Sequence, residues 1–175
     1  TTGSSSNSFT LDAEDATQIT LTGGGNNYIL FEDLPDSVSI DASGASGSNT
    51  FDMEGDLSDG GTVIGGSGFD VLSGTVDATN DGMAPTLAGV ESVVLDFRAS
   101  DSDTLNFSLA NADDVETFTI GNADDFGSGD LSVVISDADA DLTQVNVSDD
   151  FDDGDHDLTV AYETGATSTD LTISF

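Results

Sequence analysis

The sequence predicts an all-β chain wound as a parallel β-solenoid (β-helix) of about seven turns, with two short strands per turn. Three observations predict it. A short alternating apolar run opened by Asn or Asp recurs along the chain, a second such run follows each one, and helical apolar periodicity is almost absent. A strand-rich repeat of this length stacks its units on one another, so function resides in faces and ends more than in one cleft.

Taken in order, the first runs are Asn7-Ser-Phe-Thr-Leu, Asn27-Tyr-Ile-Leu-Phe, Asn49-Thr-Phe-Asp-Met, Asp70-Val-Leu-Ser-Gly, Asp103-Thr-Leu-Asn-Phe, Asp130-Leu-Ser-Val-Val and Asp157-Leu-Thr-Val-Ala. They begin 20, 22, 21, 33, 27 and 27 residues apart. The second runs begin at Gln18, Ser37, Gly61, Ser92, Thr117, Gln144 and Asp170. Within them Ile19 and Leu21, Val38 and Ile40, Phe118 and Ile120, Val145 and Val147, and Leu171 and Ile173 alternate at period two, so one side of each strand faces a core. Seven parallel rungs about 4.8 Å apart make a rod roughly 34 Å long.

Between the runs lie Asp-rich corners, each with an apolar residue to tuck inward, such as Leu11, Leu34, Leu109 and Leu142. The fourth repeat is the long one, and the segment 75–89, with Pro85, reads as a surface loop excursion. Residues 1–6, Thr-Thr-Gly-Ser-Ser-Ser, read as a linker, and 7–175 as a single solenoid domain. The opening has neither an initiator Met nor a basic leader, which fits either a processed or excised piece or an export signal that lies elsewhere.

The Asn and Asp that open the first runs are expected to lie above one another and to hydrogen-bond up the stack. On this reading the column is Asn in three turns and Asp in four. Stacked Asp residues repel unless cations intervene, so the C-terminal part is expected to depend more on cations.

Charge narrows the function classes. The chain carries 35 acidic residues against a single Arg98, and its formal net charge is −34. Such a field repels nucleic acid and anionic membranes and attracts cations. Only six acids are Glu; the other twenty-nine are Asp, which is short, favours turns and reaches a hard cation from its own loop. Adaptation to high salt accounts for acidity equally well, but less directly for the preference for Asp. Cysteine is absent, in keeping with a secreted protein built without disulfides, and no apolar stretch approaches a membrane span.

The segment with the most specific chemistry is Gly65-Gly-Ser-Gly-Phe-Asp-Val-Leu-Ser-Gly74. It matches the nonapeptide G-G-x-G-x-D-x-U-x, in which glycines turn carbonyls toward a calcium ion, Asp supplies a carboxylate and an apolar residue plugs the core. Here those positions are Gly65, Gly66, Gly68, Asp70 and Leu72. The chain thus resembles RTX (repeats-in-toxin) calcium-binding secreted proteins. In its repeat style, and in Leu87-Ala-Gly-Val-Glu-Ser-Val-Val-Leu95, it resembles the RTX-class proteins of bacterial surface layers. The nonapeptide occurs once, and neighbouring turns keep only remnants, Gly25-x-Asn27, Gly47-x-Asn49, Asp101-x-Asp103 and Asp155-x-Asp157, so few ions are expected. The further candidate ligands are Asp101 with Asp103, and Asp153 with Asp155 and Asp157, against a bland reading of each set as a solvated acidic turn.

The resemblance implies secretion, to the cell surface or beyond, and calcium as the bound ion. The expected function is a non-enzymatic, calcium-stabilised structural unit. It stays loose at low calcium, and outside the cell it folds and stacks end to end into a surface layer or filament. The alternative is a calcium-dependent adhesin that reads a cell-surface glycan. Enzyme signals are poor: His156 is the single histidine, and no nucleophile elbow, phosphate loop or zinc spacing is present. A carboxylate-pair glycosidase is the one catalytic reading the composition leaves open.

Overall fold

A computed structural model of the chain describes residues 5–55, 60–99, 104–125, 131–148, 156–166 and 171–174. Their period-two alternation is realised as strands, and no helix forms among them. The first eight strands are β1 (Ser6–Asp12), β2 (Gln18–Gly23), β3 (Asn26–Glu32), β4 (Ser39–Ala45), β5 (Asn49–Asp52), β6 (Thr62–Ile64), β7 (Val71–Asp77) and β8 (Thr86–Ala88). The rest are β9 (Ser92–Ala99), β10 (Thr104–Ser108), β11 (Thr117–Asp125), β12 (Ser132–Ala138), β13 (Gln144–Val147), β14 (Asp157–Tyr162) and β15 (Thr172–Ser174).

Odd and even strands separate onto two faces. The odd strands from β1 to β15 form one eight-stranded sheet, and the even strands form two sheets on the other face, β2-β4-β6-β8 and β10-β12-β14. Every ladder is parallel. This is the predicted parallel β-solenoid of two strands per turn, with about six turns against the seven expected.

The core is a set of vertical columns. In the long sheet Phe9, Ile29, Phe51, Leu72, Val93, Phe118, Val145 and Ile173 stand in register. The six inner members are fully buried, whereas Phe9 is 44% exposed and Ile173 45%. Facing them, Ile19, Ile40, Val63 and Leu87 form a column of the four-stranded sheet. Phe107, Ile135 and Val160 continue the opposite wall in the three-stranded sheet. Phe107 and Phe118 meet across the core with ring centroids 5.8 Å apart and planes tilted by 56°, a favourable aromatic geometry.

The register changes two expectations. The first runs enter the long sheet only as β1, β3, β5 and β7; from there the second run at Ser92 takes their place as β9. The physical reason is β8. It has three residues and one inward side chain, Leu87, too little for an alternation signal, yet it completes a turn between Asp70 and Ser92. With β8 counted, Val71 pairs with Ser92, 21 residues on, and the 33-residue interval disappears. The opening acids therefore do not form one column: Asp157 pairs with Ser132 on the opposite face, and Ser132 pairs with Thr104.

The excursion is also smaller than 75–89. Thr75 to Asp77 finish β7, Met83 and Leu87 are buried, and isolated parallel bridges join Met83 to Phe107 and Leu87 to Ala112. These bridges join the two even-numbered sheets. At the other end of the chain Ser6, read as linker, is already the first residue of β1; residues 1–4 lie outside the described part.

Candidate functional site

Each early turn enters the long sheet through the same corner, Gly25-Asn26-Asn27, Gly47-Ser48-Asn49 and then Gly68-Phe69-Asp70. Asn7, Asn27 and Asn49 are paired in register, so their side chains lie one rung apart. An amide has two N–H groups and an acceptor oxygen, enough to bond along the stack and back to its own corner. Asn7 Nδ2 donates to Asn27 Oδ1 at 3.0 Å, and Asn27 Nδ2 donates to Asn49 Oδ1 at 2.7 Å. Asn27 and Asn49 each also return a bond to the carbonyl two residues back, Gly25 and Gly47, both at 3.0 Å.

The column ends on Asp70, which is fully buried. Its Oδ1 accepts from Asn49 Nδ2 at 2.8 Å and from the Asn49 backbone N–H at 2.7 Å. Its Oδ2 accepts from the Gly66 backbone N–H. The next rung supplies Glu91, whose Oε2 accepts from the Asp70 backbone N–H at 2.7 Å.

The three glycines of the nonapeptide sit where successive corners cross at close range. A Cβ on Gly65 would lie 1.7 Å from the Gly89 carbonyl oxygen and 2.8 Å from Asp70 Oδ2. A Cβ on Gly68 would lie 2.5 Å from the Gly47 carbonyl, and one on Gly66 2.3 Å from the Ala45 oxygen. Any side chain at these positions would push the turns apart.

Of the other candidate ligands, Asp101, Asp103, Asp153 and Asp155 lie outside the described residues. Asp157 is exposed at the start of β14, on the opposite face from Asp70. His156, just before it, accepts the Leu131 backbone N–H on Nδ1 at 3.0 Å, next to the first pair of the β12–β14 ladder.

A second acidic region was not singled out in the sequence. Where the strands of the long sheet end, Asp12, Glu14 and Asp33 are exposed, with carboxyl oxygens within 4.8 Å of one another. Farther along the same face an open groove of about 460 Å³ is lined by Asp52, Glu54, Asp77, Asp96 and Arg98 among others. Arg98 pairs with Asp96 at 3.6 Å and stands in register with Asp77. The Thr79 hydroxyl, with a smaller contribution from Arg98, holds the Asp77 carboxyl below the usual Asp range. The Tyr28 hydroxyl donates to Asp52, and that bond raises the Tyr28 phenol above its ordinary value. The acids Asp12, Glu32 and Asp52 each close an early strand of the long sheet, β1, β3 and β5.

No known protein family, curated protein or solved structure matches this chain.

Proposed function

We propose that the chain is a non-enzymatic structural solenoid of an extracellular surface layer or filament, built by end-to-end stacking of its open rungs and dependent on cations such as calcium. The observation that carries this reading is the contrast along one core column. Its six inner members are fully buried, while Phe9 on β1 and Ile173 on β15, whose outer edges are unpaired among the described residues, expose nearly half their surface. An open parallel edge with an exposed apolar residue is a template for another rung, and a second copy of the chain supplies one. A heterologous contact of this kind, repeated, makes a filament.

Cation dependence follows from charge. A net −34 on a rod this size opposes both folding and the approach of a second copy, and the Asp12, Glu14 and Asp33 trio concentrates that repulsion next to the first rung. Divalent cations screen it more effectively than monovalent ones. The secreted, RTX-like reading of the sequence supplies the setting: little free calcium inside the cell and much outside.

Light scattering during a calcium titration, with EGTA and magnesium arms, tests the proposal. Particle mass is expected to rise with calcium. Constant monomer mass at every calcium concentration would overturn it.

A second reading rests on the groove between Asp52 and Arg98. Its mixed carboxylates, hydroxyls and guanidinium suit a polyhydroxylated ligand, so the chain would act as a glycan-binding adhesin. Loss of glycan capture in Arg98→Ala with unchanged particle mass would favour that reading over assembly.

A further inference from the structure

We propose that Asp70 is the anionic end-stop of the Asn7–Asn27–Asn49 amide ladder, and that the Gly65–Asp70 nonapeptide locks adjacent turns through N–H donors and not through a calcium ion. The donor set carries the inference. Calcium takes about six to eight oxygen ligands at roughly 2.3–2.6 Å. The groups aimed at the Asp70 oxygens are instead the Asn49 N–H, the Asn49 side-chain amide and the Gly66 N–H. Two donors fill the lone pairs of Oδ1. On the Oδ2 side the Gly66 N–H donates to that oxygen, and the Gly65–Gly89 crossing packs close by, the Cβ position of Gly65 lying 2.8 Å from it.

The ladder also explains why Asp stands where the two preceding corners have Asn. Each amide passes its hydrogen bond in one direction, from Asn7 to Asn27 to Asn49 to Asp70. A chain of donors aligned in this way is strengthened by an anion at its accepting end. The Asp70 side chain has no N–H with which to bond back to its own corner carbonyl, as those of Asn27 and Asn49 do. It turns its second oxygen to the Gly66 N–H instead. An Asn at position 70 would present its NH₂ to that N–H, donor against donor, or lose the two bonds from Asn49.

The inference does not rest on assembly, because all its contacts lie inside one chain, and monomer and filament would contain the same ladder. The test compares the wild type with Asp70→Asn by thermal unfolding, each with calcium and with EGTA. The expected result is a midpoint about 4–8 °C lower for the variant in both conditions, with the calcium-minus-EGTA difference unchanged from wild type. A calcium-dependent stabilisation that vanishes in Asp70→Asn, or a variant as stable as wild type, would overturn the proposal. If the variant does not fold, carboxyl carbon NMR of wild type decides. The Asp70 resonance is expected to stay fixed through a calcium titration, and a saturable shift would assign it to an ion.

Discussion

The side-chain amide of Asn49 lies 2.8 Å from the carboxylate of Asp70, twenty-one residues later, and both residues are buried on adjacent rungs. Asn49 also accepts from Asn27 and bonds back to Gly47, as Asn27 does with Asn7 and Gly25, but of the two only Asn49 is buried. Truncating its side chain takes one of two donors from the buried Asp70 Oδ1, the amide donor from the Gly47 carbonyl and the acceptor from the Asn27 amide. Asn49→Ala is expected to lower unfolding free energy by about 3 kcal/mol. Asn7→Ala, which breaks one exposed bond, is expected to cost under about 1 kcal/mol. Urea denaturation of the two variants checks the gradient; equal losses would contradict it.

The close crossing at Gly65 makes a sharper prediction. Gly65→Ala sets a methyl group against the Gly89 carbonyl, and neither backbone can withdraw without separating two turns. Gly55 has open space around its Cβ position. Gly65→Ala is expected to prevent cooperative folding and Gly55→Ala to leave it intact, as read by circular dichroism during thermal unfolding.

Core columns grade in the same way. Phe118 is fully buried and packs on Phe107, so Phe118→Ala is expected to cost about 3–5 kcal/mol. Phe9→Ala, at the exposed end of its column, is expected to cost under about 1.5 kcal/mol in the isolated chain. Denaturant midpoints at a constant m-value give both numbers.

The two tyrosines predict the alkaline limb of stability. Hydrogen bonding to Asp52 raises Tyr28, and burial raises Tyr162, above the ordinary 10.0. A raised folded value means that the stabilisation is fully present below pH 10 and is lost as pH rises through the folded values. Tyrosinate absorbance is therefore expected at higher pH in the native chain than in urea. Tyr28→Phe should leave a single transition, that of Tyr162. Coincident native and unfolded titrations would contradict the Tyr28–Asp52 bond.

The period-two runs made the solenoid and its inward residues legible in the sequence, because a residue such as Phe51 or Val145 can face only one side of a strand. The phase of the faces was not legible. It turned on β8, whose single inward Leu87 sits among loop-like residues Met83, Ala84 and Pro85, so a strand of the solenoid passed for an excursion. The motif at Gly65 to Asp70 was visible as chemistry, but hydrogen-bond donors are set by the neighbouring turns. Only the register of Asn49 against Asp70 reveals what meets that carboxylate. The acidic groove lay hidden for the same reason: Asp77 and Arg98 are neighbours across rungs, far apart in the chain.

End-to-end stacking is tested most directly by blocking one end at a time. Phe9→Lys closes the β1 end and Ile173→Lys the β15 end, each leaving the other end open. Sedimentation velocity in calcium should show the wild type polymerising and each variant alone as a monomer. An equal mixture of the two variants should stop at dimers. A wild type that stays monomeric, or a mixture that forms no dimer, would contradict the account.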